Sequence, residues 1–248
     1  VFDDVEYSLT IPATIASAFK LSGQRCVSSS RILVQRTIYD TFAHIFAEEA
    51  SKLKTGNPFT SNMGTSGCPD GIVWDEITPN DDIYYGPIIN QQGFDKIVLY
   101  NQMVESDPEA EVLLKPEYNI IGDNEAFYST PMVYKSEWRK DAPYLREEVF
   151  GPHVAIVPFD TLEEAIDIYN DTDYGLAVGV LTNDFRKARI LRDECDAGMI
   201  YWNGGSIAAE SHLAFGGVKN LETDFPVRQE HLERLHMKLA GRSTMLIS

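Results

Sequence analysis

Basic residues are scarce in this chain: 21 lysines and arginines stand against 38 aspartates and glutamates in 248 residues, for a formal net charge of -17. A surface this negative repels a phosphate backbone unless a basic patch intervenes. No run of lysine and arginine supplies one. Arg186, Lys187 and Arg189 are interleaved with apolar residues, as on a solvated helix face. Nucleic acid is therefore not expected as a partner. Long apolar runs are also missing, since no stretch nears the ~18 apolar residues of a membrane span. Val1-Phe2-Asp3-Asp4 lacks the charged start and apolar run of a secretory signal. Cysteine is rare and odd in number. Cys26, Cys68 and Cys195 stand at no metal-like spacing, so neither a disulfide framework nor a metal site is expected, and a reducing, cytoplasmic compartment fits best. No Gly-x-Gly-x-x-Gly follows a strand pattern, no segment repeats, and none is of low complexity.

What is present is ample core material: 44% of residues are hydrophobic and 11% aromatic, enough for one large domain over residues 1–248. Val5, Leu9, Ile15 and Phe19 mark a helix between Asp4 and Lys20, with a bend expected near Thr10 to Pro12 because proline removes a helical hydrogen bond. Arg31 to Gln35 reads as a buried strand, and Ile38, Phe42, Ile45, Phe46 and Leu53 as one face of a helix ending before Gly56. Gly, Pro, Asn, Asp and Ser then dominate Thr60 to Asp82, a long loop of the kind that is functional or mobile, and Cys68 lies in it without an expected role. A helix from about Gln91 to Val104 and strands at Val112-Leu114 and Met132-Tyr134 follow.

The second half alternates regularly. His153 to Phe159 is a strand, and Thr161-Leu162-Glu163-Glu164 a capping box opening a helix through Tyr169. Leu176 to Leu181 reads as a strand buried on both faces, Asp184 to Glu194 as a helix, and Met199 to Trp202 as a strand. The tail from Pro226 to Met237 reads as a charged helix, with Thr244 to Ile247 as an added edge strand. Strands alternating with crossover helices predict a three-layer αβα domain with an open, mostly parallel sheet.

Three stretches carry chemistry. In Ser22-Gly23-Gln24-Arg25-Cys26 a cysteine follows a glycine turn beside an arginine that favours the thiolate, the reactive form of sulfur. Glu147-Glu148-Val149-Phe150-Gly151-Pro152 and Phe215-Gly216-Gly217 lie downstream. Each alone reads as easily as a small buried hydrophobe, a charged loop and an ordinary turn. Together and in this order they resemble the aldehyde dehydrogenase superfamily.

The resemblance implies that Cys26 attacks an aldehyde carbonyl, giving a thiohemiacetal and then a thioester, with the Cys26 backbone amide as one oxyanion donor. It implies that Glu148 binds the nicotinamide ribose hydroxyls, Glu147 being the alternative if the register slips, and that Phe150 packs near the nicotinamide ring of NAD or NADP. Asn203 and Phe215 match positions near the substrate tunnel, with Ile207 to His212 at its mouth and His212 read as a loop histidine. Ala214 and Asn220-Leu221-Glu222-Thr223 depart from the family pattern. The family's general-base glutamate, in a Glu-Leu-Gly-Gly-like stretch, and its dinucleotide-binding domain find no match here. The expectation is thus a C-terminal catalytic domain, feeble by itself, of an enzyme oxidising an aldehyde or semialdehyde to an acid. The parent is expected to be a homo-oligomer that is neither membrane-bound nor nucleic-acid-binding. Transfer of the acyl group to coenzyme A, or a non-catalytic binding or assembly module that keeps the fold, are the alternatives.

Overall fold

The computed structural model describes residues 1–57, 82–121, 126–208, 215–220, 235–237 and 245–247. In chain order these form α1 (Tyr7–Phe19), β1 (Arg31–Gln35), α2 (Tyr39–Ser51), α3 (Gln91–Ser106), β2 (Glu111–Leu114), β3 (Tyr118–Ile121), β4 (Ala126–Ser129), β5 (Met132–Lys135) and α4 (Pro143–Arg146). They continue as β6 (His153–Phe159), α5 (Leu162–Asn170), β7 (Tyr174–Gly175), β8 (Ala177–Val180), α6 (Phe185–Glu194), β9 (Met199–Trp202), β10 (Val218–Lys219), β11 (Leu235–Met237) and β12 (Met245–Ile247).

The strands form two four-stranded sheets, ordered β1-β6-β5-β2 and β12-β11-β9-β8. Within these two sheets pairing is parallel for β1–β6, β5–β6, β8–β9 and β9–β11, and antiparallel where β2 and β12 close an edge. The three layers follow from the period-two alternation of strand side chains. In β6, Val154 and Ile156 face α1 and α2, packing with Phe19, Phe42 and Phe46. Ala155, Val157 and Phe159 face the opposite way, into a core built with α3, α5 and α6. All seven residues of β6 are buried, as expected of a central strand covered on both sides.

Local sequence explains the starts of α3 and α5. Asn90 caps α3 by accepting from Gly93 N–H at 2.8 Å, and Thr161 caps α5 by accepting from Glu164 N–H at 3.2 Å. The Glu164 carboxylate returns to Asp160 N–H rather than to that of Thr161, so the capping box is formed one residue wide of the ideal.

Helix α1 contains Pro12, in whose region a bend is expected, as one element from Tyr7 to Phe19; its buried face, with Ile11, Ile15 and Phe19, packs on α2 and the sheet, which offsets one lost hydrogen bond. Several other expectations are corrected. Leu176 to Leu181 is not buried on both faces: Leu176 to Gly179 are only half-buried, because β8 ends its sheet beside a crevice. Leu235–Met237 is a strand parallel to β9, not the end of a helix; pairing with a distant partner overrides local helical preference. Met245–Ile247 does add the edge strand. The β3–β4 hairpin and the β7–β10 pair were not anticipated. Of the long loop, residues 60–81 lie outside the described residues, as do Cys68, His212, Ala214 and residues 226–234.

Candidate active site

Cys26 lies in the turn between α1 and β1, and this turn is built from an unusual backbone. Leu21, Ser22 and Gly23 have φ of 57°, 60° and 68°, three successive left-handed residues. For leucine and serine that conformation is strained and needs support. The support comes from the segment before α3. Ser22 Oγ donates to Gly86 O at 2.8 Å, while Gln24 donates through Nε2 to Pro87 O at 3.2 Å and accepts Ile89 N–H at 2.9 Å through Oε1. Glutamine is suited to this position because one side chain supplies both donor and acceptor.

Gly23 has a second reason to be glycine. A Cβ there would sit 2.3 Å from Gly151 O, so the cysteine turn lies directly on the loop Glu147 to Pro152. That loop is close-packed in turn, since a Cβ on Gly151 would meet Ile97 Cδ1 at 2.4 Å. Phe150 beside it has φ of 60° and a ring left 40% exposed. The fold thereby brings two stretches more than 120 residues apart into contact at the starts of the parallel pair β1 and β6.

Cys26, Glu148 and Phe150 share one cleft of about 130 Å³, floored by His153 and bordered by Tyr174. Cys26 is exposed and unbonded to any cysteine, and among the described residues no carboxylate, imidazole or cation pairs with its thiol. The two neighbouring glutamates are separated by their partners. Tyr100 OH donates to the Glu147 carboxylate, and burial followed by that carboxylate pushes the Tyr100 hydroxyl up to about 12. The Glu148 carboxylate has no such partner among the described residues, only its backbone carbonyl being held, by Lys96 Nζ. Glu148 is thus the carboxylate free to accept from a ligand. An uncommitted carboxylate, an exposed aromatic ring and an exposed thiol thus share one cleft.

Arg31 is a site residue that the sequence reading placed only in a strand. Its guanidinium donates to Leu145 O at 2.6 Å and Arg146 O at 3.4 Å, fixing the end of α4 just before the two glutamates, and stacks 5.9 Å from the Trp138 ring centroid. The desolvation of that environment lowers its pKa. The available signal was a charged residue opening an otherwise apolar strand. His153 is similarly enclosed: its Nδ1 lies 2.7 Å from Asn101 Oδ1 and its Nε2 3.0 Å from Tyr134 OH. Burial pushes the imidazole down to about 3, so it is neutral and fully engaged, a support for the cleft floor rather than a base.

Asn203 and Phe215 do not line this cleft. Asn203, with φ of 52°, follows the last residue of β9, where its Oδ1 accepts Thr182 N–H at 3.1 Å and its N–H donates to Val180 O at 2.8 Å. It marks the ends of β8 and β9, whereas Cys26 and Glu148 precede the starts of β1 and β6. Phe215 is 54% exposed. Gly216 next to it packs on Gly198, where a Cβ would meet Gly216 O at 1.9 Å, so its segment borders the same sheet end as the cleft. Beyond Asn203 the chain returns toward the cysteine: Ser206 Oγ donates to Val27 O at 2.6 Å, and Ile207 and Ala208 pack against the cluster of Val27, Met199 and Tyr201.

The chain that carries this cleft is matched by known proteins. The aldehyde dehydrogenase family pattern covers residues 1–236. The chain belongs to the aldehyde dehydrogenase family. It is 31% identical over 225 residues to 1-pyrroline-5-carboxylate dehydrogenase of Staphylococcus haemolyticus, covering 90% of this chain and 38% of that protein. It is 33% identical over 219 residues to the mitochondrial succinate-semialdehyde dehydrogenase of Oryza sativa subsp. japonica, covering 88% and 37%. Betaine aldehyde dehydrogenase of Staphylococcus aureus, crystallised with NAD+, superposes with a TM-score of 0.73 at 26% identity, over 88% of this chain and 39% of that structure. This family member spans less than half the length of these relatives. No helix among the described residues is long and apolar enough to cross a membrane, and among the same residues no group of His, Cys, Asp and Glu could hold a metal ion.

Proposed function

We propose that this chain is the thiol-bearing catalytic domain of an NAD(P)-dependent aldehyde dehydrogenase that oxidises an aldehyde or semialdehyde to a carboxylic acid. The observation that carries this reading is the shared cleft: an exposed Cys26 thiol, an uncommitted Glu148 carboxylate and the exposed Phe150 ring at one end of the sheet. Glu148 holds the ribose hydroxyls and Phe150 packs on the nicotinamide side, leaving the sulfur free to meet the substrate carbon. The dinucleotide, when bound, supplies the acceptor for the hydride that leaves that carbon. Cys26 as thiolate adds to the aldehyde carbonyl; the C–S bond forms, the carbonyl electron pair moves to oxygen, and the Cys26 backbone N–H faces the oxyanion. After oxidation the acyl group is held as a thioester, which water cleaves to release the acid and restore the thiol. Asn203 fixes the strand ends from which the chain returns to Val27, and Phe215 stands at the rim of the substrate path.

Rates of alkylation by iodoacetamide, mapped by peptide mass spectrometry across pH for this chain and for Cys26→Ser, test the assignment. The proposal expects Cys26 to react fastest of the three cysteines. Equal rates at Cys26 and Cys68 would remove the nucleophile assignment and favour a module that merely retains the turn.

A further inference from the structure

Cys26 occupies one corner of a closed turn. Ser28 N–H donates to Arg25 O at 2.9 Å, with Cys26 and Val27 between them, which is the bond that closes a β-turn. Among the described residues no backbone acceptor takes the Cys26 N–H. The Val27–Ser28 peptide is planar, so its N–H and its C=O turn together. Arg25 fixes one end of that plane. The other end is fixed from far along the chain, where Ser206 Oγ donates to Val27 O at 2.6 Å. A plane held at both ends cannot rotate, and the corner before it keeps its shape.

Ser206 is placed in turn by its neighbours. Gly205 threads past α1, where a Cβ would collide with Ser17 Oγ. Ser17 O accepts Ser29 N–H at 3.0 Å, and Ser29 Oγ lies 2.9 Å from Ser206 Oγ. Because the single hydroxyl proton of Ser206 goes to Val27 O, Ser29 is the donor in that pair. The Ser206 hydroxyl is therefore oriented through both its oxygen and its proton. Ser206 and Val27 are only 4% and 5% exposed, so removing the hydroxyl leaves a buried carbonyl unpaired, a loss that bulk water does not make good. Beside Ser206, Ile207 and Ala208 pack on the cluster of Val27, Met199 and Tyr201. The loop after β9 thus meets the cysteine turn by packing as well as by a hydrogen bond.

We propose that Ser206 is the positioning residue of the nucleophile turn. Its hydroxyl locks the Val27–Ser28 peptide and so holds the Cys26 sulfur and the Cys26 N–H in one fixed relation, the sulfur for a carbonyl carbon and the N–H for its oxygen. This inference rests on the reading of Cys26 as a nucleophile. It assigns a role to a serine 179 residues from the peptide it holds, and it links the loop that starts at Asn203 to the thiol, because a shift of that loop releases the turn.

The test compares this chain with Ser206→Ala, Ser206→Thr and Ser29→Ala. Amide exchange followed by NMR reports on the turn. The thiohemiacetal that Cys26 forms with isotope-labelled acetaldehyde, followed by carbon NMR, reports on the thiol. Ser206→Ala is expected to speed Ser28 N–H exchange about tenfold and to weaken the adduct by a similar factor, while Ala188 in α6 exchanges as before. Ser206→Thr keeps the hydroxyl and restores both. Ser29→Ala leaves the Val27 bond but removes its support, and is expected to speed Ser28 exchange about threefold, which carries the test if Ser206→Ala does not fold. Unchanged Ser28 exchange in the alanine variants, or equal speeding in Ser206→Thr, overturns the inference. So does exchange that rises equally at Ser28 and Ala188, the mark of a general loss of stability. An adduct missing from the unaltered chain, with Ser28 exchange still governed by Ser206, strikes the nucleophile reading and leaves the lock on the turn standing, because amide exchange needs no thiol chemistry.

Discussion

The Cys26 cleft and the β1–β8 crevice lie side by side, share Ser28 and Arg31, and are built on opposite plans. The cleft is made of turns: left-handed residues, glycines in backbone contact, and a glutamine clamped to a neighbouring loop. The crevice is made of regular strand edges whose hydrogen-bonding groups point inward. Irregular backbone positions reactive side chains in the first region, whereas regular backbone forms the walls of the second. Their cysteines show the same contrast. Cys26 is exposed in the cleft, while Cys195 is buried in the crevice wall, where desolvation pushes its thiol up to about 12.

Substituting Gly23 breaks the cleft most severely. Gly23→Val places a branched side chain at φ of 68°, with its Cβ 2.3 Å from Gly151 O. We expect a loss of about 3 kcal/mol or more in urea unfolding, and loss of any preferential Cys26 alkylation. The thiol contrast gives the next largest effect: at pH 8.5, Cys195 should alkylate more than a hundredfold slower than Cys26 in the folded chain, and the two should converge in denaturant.

His153 links the cleft floor to pH. Its folded pKa, about 3, lies below the unfolded value of 6.5. The unfolded chain therefore binds the extra proton as pH falls below 6.5, and stability is lost from there down toward pH 3, by up to about 1.4 kcal/mol per pH unit. Unfolding midpoints between pH 7 and 4 should show this slope, and His153→Gln should flatten it. Gln24→Ala removes two hydrogen bonds to the segment before α3 and should cost about 1–2 kcal/mol while slowing Cys26 alkylation. The smallest change should come from Glu148→Gln: with no partner lost, stability stays within about 0.5 kcal/mol, whereas Glu147→Gln, which weakens the Tyr100 contact, costs more. If the two glutamates behave in the reverse order, Glu147 is the free carboxylate and the ligand assignment moves to it.

Most strands and helices of the α/β frame were legible before any coordinates, because apolar periodicity, caps and turn residues act over a few positions: α2, α3, β6, α5 and α6 appear close to where their patterns place them. The cysteine turn and the glutamate–phenylalanine loop were legible only as motifs, and nothing local revealed that they touch. The half-burial of β8, the strand at Leu235–Met237 and the anchoring role of Arg31 were illegible. Each depends on a partner far away in the chain: an edge, a parallel neighbour, or a pair of carbonyls at the end of α4.

By itself, the sequence determined the alternation of elements, the acidic surface and the residue types able to carry thiol chemistry, since propensity, charge and reactivity belong to single residues and their near neighbours. Tertiary structure alone decided which glutamate is free, that Gly23 must lie on Gly151, that His153 is neutral, and that two strand edges confront each other. Those properties arise from burial and from distances between residues remote in sequence, and these come into being only when the layers pack.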